Sequence, residues 1–179
     1  MDLILLAGNG SHNKAWIYEV SKTLAPLFDN CLVHDYEHWQ NNEANINFDA
    51  ELAKLRHETE GIGEYVIFAK SIGSVLTFMG VNRGILKPKT IIITGLPLGM
   101  IEEEHIPMDD WLRHSDIPLL FIQNTEDPLG SFKEVEKYLS GIIGNRKYTL
   151  AELDGNTHNY NDLLRLKEEI ASFRNQAQD

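Results

Sequence analysis

The sequence predicts a three-layer α/β fold, with about six strands in a mostly parallel sheet and helices on both faces. Three observations carry that prediction. Short apolar runs recur along the chain at Leu3–Ala7, Cys31–Val33, Tyr65–Ala69, Thr90–Thr94, Pro118–Ile122 and Lys147–Leu150. Most of them are continuous rather than alternating, as strands buried on both faces of a parallel sheet require. Segments of helical period lie between them, and a regular βαβα alternation packs as helices on either side of one sheet.

The helical faces follow in order. Trp16, Ile17, Val20, Leu24 and Leu27 mark the first, and Phe48, Leu52 and Leu55 the second. Val75, Leu76 and Met79 follow the third run. Phe132, Val135 and Leu139 precede the sixth, and Leu163, Leu166, Ile170 and Phe173 mark a final helix. With 179 residues and no repeat, low-complexity tract or linker, residues 1–179 read as one domain.

Composition narrows the function classes. A net charge of −11 opposes binding to nucleic-acid phosphates or an anionic membrane. Cys31 is the only cysteine, which rules out an intrachain disulfide and a cysteine-rich metal site. No segment reaches the roughly 18 apolar residues needed to span a bilayer. The first run is too short for a signal-peptide core, so a cytoplasmic, reduced protein is expected. The oligomeric state is left open.

In sheets of this kind chemistry sits in loops at the carboxyl ends of the strands, and reactive residues fall there. The third run ends in Ala69-Lys70-Ser71-Ile72-Gly73 and passes at once into a helical pattern. A serine at the apex of a strand–turn–helix, with small residues two positions away, is the arrangement of a nucleophile elbow. The same pentapeptide also suits a helix cap or a phosphate-binding turn. The fifth run leads into Asn124-Thr125-Glu126-Asp127-Pro128, where Asp127 can orient a histidine, although Asp-Pro is equally ordinary in a turn. The sixth leads into Asp154-Gly155-Asn156-Thr157-His158, where His158 can serve as general base or lie idle in an exposed loop.

The conjunction decides. Ser71, Asp127 and His158 each follow a different strand, in the order serine, acid, histidine. The first loop, Ala7-Gly8-Asn9-Gly10-Ser11, adds backbone donors: the amides of Asn9 and Ile72 are placed to form an oxyanion hole. Gly8-Asn9-Gly10 falls short of a dinucleotide fingerprint because Asn13 takes the third glycine's place. Asp35 stands where a ribose-binding acid would be, which leaves a nucleotide reading as a weak rival.

These pieces resemble the α/β-hydrolase superfamily across nearly the whole chain, and are similar to its small, cap-free YdeN-like serine hydrolases. The resemblance rests on Leu6-Ala7-Gly8-Asn9-Gly10-Ser11 with Trp16, on Ala69–Gly73, on Thr125–Pro128 and on Gly155–His158. It implies strand order 2-1-3-4-5-6, without the superfamily's usual first two antiparallel strands. It also implies cleavage of an ester, thioester or related acyl bond of a small-molecule substrate, with no metal or organic cofactor. The chain departs from the pattern at Ala69 and Lys70 in the elbow, and at Ala7, where histidine is customary.

Other residues have plainer readings. Lys70, next to Ser71, either attracts an anionic substrate or lowers local pKa values, or it reaches out to water, which is the expected reading. His34 and His38 have helical ligand spacing but no third ligand nearby, and Glu102-Glu103-Glu104-His105 reads as a solvated loop. The Gly95–Ser115 connection is long enough for a flap but not for a lid domain, and Leu96, Leu98, Met100 and Trp111 within it either line an acyl pocket or pack on the sheet. The rivals to a hydrolase are a catalytically silent binding protein on the same scaffold and an acyltransferase using the same three residues.

Overall fold

The computed structural model describes residues 1–41, 45–144 and 148–176. Six strands form one sheet: β1 (Asp2–Leu6), β2 (Cys31–Val33), β3 (Tyr65–Lys70), β4 (Thr90–Thr94), β5 (Leu119–Asn124) and β6 (Tyr148–Leu153). Their order is β2-β1-β3-β4-β5-β6, and every neighbouring pair is parallel. The six apolar runs are these strands: Cys31–Val33 and Thr90–Thr94 coincide with β2 and β4, and the other four are shifted at their ends by up to three residues. Lys147, expected to open the last run, lies outside the described residues. Burial explains the continuous apolar runs, since every residue of β3 and β5 is buried.

Among the described residues, seven α-helices lie in the connections, α1 (Asn13–Leu24), α2 (His38–Asn41), α3 (Phe48–Thr59), α4 (Ile72–Asn82), α5 (Leu98–Glu103), α6 (Met108–His114) and α7 (Phe132–Ile142), and α8 (Leu163–Gln176) follows β6. Local chemistry sets several starts. Asn47 caps α3 by accepting the Ala50 amide at 3.1 Å, and Ser131 with Glu134 forms a reciprocal capping box on α7. Helices α1 and α8 pack together on one face of the sheet. On the other, α4 lies against α3 and α6, and α6 against α7.

The Gly95–Ser115 connection carries α5 and α6, and α6 belongs to the helical layer. Its Met108 and Leu112 are fully buried, so the connection adds no separate lid. Among the described residues, no helix is long and apolar enough to cross a membrane.

Helix α4 passes closest to the sheet at Gly73. A Cβ there would lie 2.8 Å from the carbonyl oxygens of both Leu6 and Ala7, so any larger residue would push helix and strand apart. Ala69, in place of the elbow's first glycine, is fully buried within β3 and pairs in register with Leu6 and Ile93.

At the other edge, His34 is fully buried just beyond β2 and meets two carboxylates. Its Nε2 lies 2.9 Å from Glu51 and its Nδ1 2.6 Å from Glu58, both on α3. Burial pushes the imidazole pKa down, but the two acidic partners outweigh it and hold the pKa above the ordinary 6.5. Burial raises Glu51, yet the His34 contact and the Glu37 amide bring it below its ordinary 4.5.

The contribution of His34 to stability is therefore complete below its unfolded pKa and is lost as pH rises through the raised folded value. That of Glu51 is present above 4.5 and is lost as pH falls through its lowered value. Replacing His34 by Gln should cost about 3 kcal/mol near neutral pH, because Glu51 loses its buried partner. Thermal melts should show wild-type Tm falling as pH is raised from 6.5 into the mildly alkaline range, and a flatter profile for His34→Gln. Parallel profiles would sink this assignment.

Candidate active site

Ser71 stands between β3 and α4 with φ 53° and ψ −119°, a backbone region that a non-glycine residue occupies only under constraint. Strain of this kind costs on the order of 1–3 kcal/mol and persists only when the surroundings over-determine it. Here they do. The Ser71 amide donates to the Thr94 carbonyl at 3.2 Å. The Ser71 carbonyl accepts from the amide of Ser74 at 2.9 Å and from its hydroxyl at 2.6 Å. Ile72 is the first residue of α4, so its N–H has no intrahelical acceptor and faces outward at the positive end of the helix dipole.

His158 and Asp127 are brought together. The His158 Nδ1 lies 2.8 and 3.0 Å from the two carboxylate oxygens of Asp127, which is itself almost fully buried. A carboxylate can only accept, so Nδ1 carries a proton, and in the neutral ring the lone pair is then on Nε2. That Nε2 is buried and without a hydrogen-bond partner.

The ring lies over the end of β4: a Cβ on Gly95, which has φ +66°, would come within 3.0 Å of His158 Cε1. Gly95 adjoins Thr94, the residue that holds the Ser71 amide. The histidine thus hangs beside the elbow, but the Ser71 hydroxyl is not hydrogen bonded to it. Contacts of this type commonly close only when substrate is bound.

Tyr160 is a partner that sequence reasoning missed. Its hydroxyl donates to Asp127 Oδ2 at 2.7 Å and accepts the Asn124 backbone N–H at 3.1 Å. Burial, with Asp127 adjacent, pushes the phenol pKa far above its ordinary value, so the hydroxyl stays a donor. The Leu129 amide supplies a further donor to Asp127 Oδ1 at 2.9 Å. The histidine loop is tied down by Asn124 Nδ2, which donates to the carbonyls of Thr157 (2.8 Å) and Asn159 (3.2 Å), and by the Trp16 indole, which donates to the Tyr160 carbonyl.

The first loop is held from the β2 side. Tyr36 donates to the Ala7 carbonyl at 2.8 Å, while His38 Nε2 and Trp39 Nε1 each donate to the Asn9 carbonyl at 2.7 Å. Asn13 donates to the Gly10 carbonyl through its backbone and its side chain. The rings of Tyr36, His38 and Trp39 pack on one another, which locks the three donors in place. The ring of His38 is thereby engaged with the backbone, and His34 with two glutamates.

Lys70 does not reach water. It is 3% exposed, donates to Asn13 Oδ1 at 2.9 Å and sits 5.3 Å from the centre of the Trp16 ring. Burial lowers its pKa to about 8, against an opposing pull from Asp127. Beside it lies a cavity of about 240 Å³, lined by His12, Asn13, Trp16, Lys70, Asn159, Tyr160 and Asn161. A larger one, of about 410 Å³, opens behind the histidine loop and includes none of Ser71, Asp127 and His158.

Neither cavity is lined by Leu96, Leu98, Met100 or Trp111. Leu96 and Leu98 are buried in the apolar cluster between the sheet and α4, α6 and α7. Met100 and Trp111 pack against that cluster, partly exposed.

By sequence, no family profile and no curated protein matches the chain. Solved structures do. A protein from Xanthomonas campestris, described as a hydrolase of the α/β superfamily, superposes with a TM-score of 0.70 at 13% identity, covering 98% of each chain. A YdeN-like hydrolase from Pectobacterium atrosepticum gives 0.63 at 15% identity, over 96% of this chain and 91% of its own. Mouse α/β hydrolase domain-containing protein 10 gives 0.73 at 12% identity, over 98% and 90%. At such identities the likeness speaks for the architecture, and it agrees with the strand order and the compact, cap-free form: the chain has the α/β-hydrolase fold.

Proposed function

We propose that this chain is a serine hydrolase that cleaves an ester, thioester or related acyl bond through an acyl-enzyme. The observation that carries the reading is the Asp127–His158 pair, whose unpartnered Nε2 is buried beside a strained serine at a helix N-terminus. Solved neighbours described as a lipase-esterase related protein and as α/β-superfamily hydrolases support it at the level of reaction class.

In this mechanism Ser71 Oγ attacks the substrate carbonyl while His158 Nε2 accepts its proton. Asp127 stabilises the imidazolium that forms, because its carboxylate already faces Nδ1–H. Negative charge gathers on the carbonyl oxygen and is met by the Ile72 and Asn9 amides. His158 then gives the proton to the departing alcohol or thiol. Water repeats the sequence on the acyl-enzyme, releasing the acid and restoring Ser71.

A fluorophosphonate probe should label wild type at Ser71 and leave Ser71→Ala unmodified. Turnover of 4-nitrophenyl acetate by Ser71→Ala should fall by on the order of 10⁴ to 10⁶. Comparable hydrolysis by the two proteins refutes the proposal. Ester or thioester products formed with added alcohols or thiols would redirect it to acyl transfer.

Tyr160→Phe should lower kcat/KM by about tenfold, the equivalent of one lost hydrogen bond of about 1.4 kcal/mol. With one donor fewer, Asp127 holds more charge against His158 and raises its basicity. The acidic limb of the pH–rate profile should therefore move to higher pH. A loss of rate with an unmoved limb would mean that Tyr160 acts only in folding.

A further inference from the structure

Lys70 is a buried cation that the reaction above does not use. Of its three ammonium hydrogens, one goes to a neutral amide, Asn13 Oδ1, and the Trp16 ring faces the charge at 5.3 Å. Among the described residues no carboxylate forms an ion pair with it, and Asp127 acts on it at longer range. A buried charge without a counter-ion is costly to keep, so its persistence asks for an explanation.

The cavity beside it offers one. Lys70 and Asn13 line it as buried residues and Trp16 as a half-buried one, His12, Asn159 and Asn161 are exposed, and no aspartate or glutamate lines it. In a chain of net charge −11, an acid-free hollow around a buried lysine is a local inversion of sign. None of Ser71, Asp127 and His158 lines the hollow, but three of the segments that carry the proposed site reach it. It takes in Lys70 next to Ser71, the loop after β1 that holds Asn9, and Asn159–Asn161 directly after His158.

We infer that this cavity is a substrate subsite for a carboxylate, and that the chain cleaves acyl compounds carrying a second, free acid group. The inference rests on the hydrolase reading and gives it a substrate class. A ligand carboxylate would supply Lys70 with its missing counter-ion and take up hydrogen bonds from the ammonium and from the side-chain amides of Asn159 and Asn161. The repulsion of a net-negative chain is screened within about 8 Å in physiological salt, whereas a direct contact with the buried Lys70 ammonium is screened much less. A single cation with Asp127 in its field suits a monoanion better than a phosphate dianion.

Lys70 and Ser71 are consecutive at the end of β3, so on this inference the acid group and the scissile carbonyl belong to one small molecule whose spacer runs over the strand end. Half-esters or half-thioesters of short dicarboxylic acids fit. In the reaction the acyl carbon bonds to Ser71 Oγ as its bond to the leaving alcohol or thiol breaks. The serine proton passes through His158 to the leaving group, water then regenerates Ser71, and the distal carboxylate is unchanged.

Two measurements test this. Aryl half-esters of glutarate and adipate are compared with aryl esters of valerate and hexanoate, after subtracting uncatalysed hydrolysis. The expected wild-type kcat/KM ratio favours the half-esters by about tenfold or more, Lys70→Met abolishes the preference, and Lys70→Arg restores part of it. Separately, calorimetry on Ser71→Ala should detect glutarate binding above that of inorganic phosphate or of chloride at equal ionic strength, and adding Lys70→Met should remove it.

Ester hydrolysis with no half-ester preference, or with a preference that survives Lys70→Met, overturns the subsite while leaving the hydrolase intact. Lysine-dependent glutarate binding in a protein that cleaves no ester preserves the subsite and removes the hydrolase. Should Lys70→Met fail to fold, absence of glutarate binding to Ser71→Ala is sufficient to reject the inference.

Discussion

The close crossing of α4 over β1 is the constraint on which the site depends. Only a glycine at position 73 lets the helix approach until its Cα faces the Leu6 and Ala7 carbonyls. That approach bends the chain so sharply at Ser71 that the residue is forced to positive φ. The strain in turn lifts the serine out of the strand and leaves the Ile72 amide facing outward. It also brings α4 beside the very loop that carries Asn9, since Ala7 belongs to both the crossing and the loop. One steric fact therefore sets Ser71, the residue proposed as nucleophile, together with the Ile72 amide and the position of the first loop relative to them.

What surrounds the elbow is held by long-range hydrogen bonds rather than by the loops' own geometry. The β2–α3 region acts as a clamp. Glu51 ties His34 and the Glu37 amide together, and the next residues, His38 and Trp39, grip the Asn9 carbonyl. On the opposite side Tyr160 joins the acid loop to the histidine loop. Gln123 joins the acid loop to the flap, accepting the Leu96 amide at 2.9 Å and donating to the Gly130 carbonyl at 2.5 Å. Apart from His38 Nδ1, which is buried with no partner among the described residues, the clamps use buried polar groups with partners, an arrangement that favours one geometry because alternatives leave further donors or acceptors unpaired.

The division between what could and could not be read in the sequence follows from this. Strands, the elbow and the three loops of Ser71, Asp127 and His158 are local patterns: an apolar run, a turn, a residue type at its end. They are legible in a single chain. The clamps are not. Tyr36 reaches Ala7 across 29 positions, Trp39 reaches Asn9 across 30, and Tyr160 reaches Asp127 across 33, with no periodicity to announce them. The missing histidine at Ala7 raised the question of how the first loop is braced. The answer lay in an aromatic cluster that reads as ordinary core. Lys70 was misread for the same reason: its fate was decided by Asn13 and Trp16, 57 and 54 positions earlier.

A lysine at the residue before the nucleophile has two outlets, solvent or the space under α1. The first is closed by burial in β3, where positions up to the strand's last residue lie within the sheet. The second is polar only because Asn13 stands at the start of α1, in the place where a dinucleotide-binding loop would have its third glycine. Asn13 thus does two things with one amide: its nitrogen holds the Gly10 carbonyl and its oxygen receives Lys70. The subsite inferred at the lysine and the loop proposed to carry an oxyanion donor therefore share one side chain, and that side chain is the asparagine that breaks the dinucleotide fingerprint.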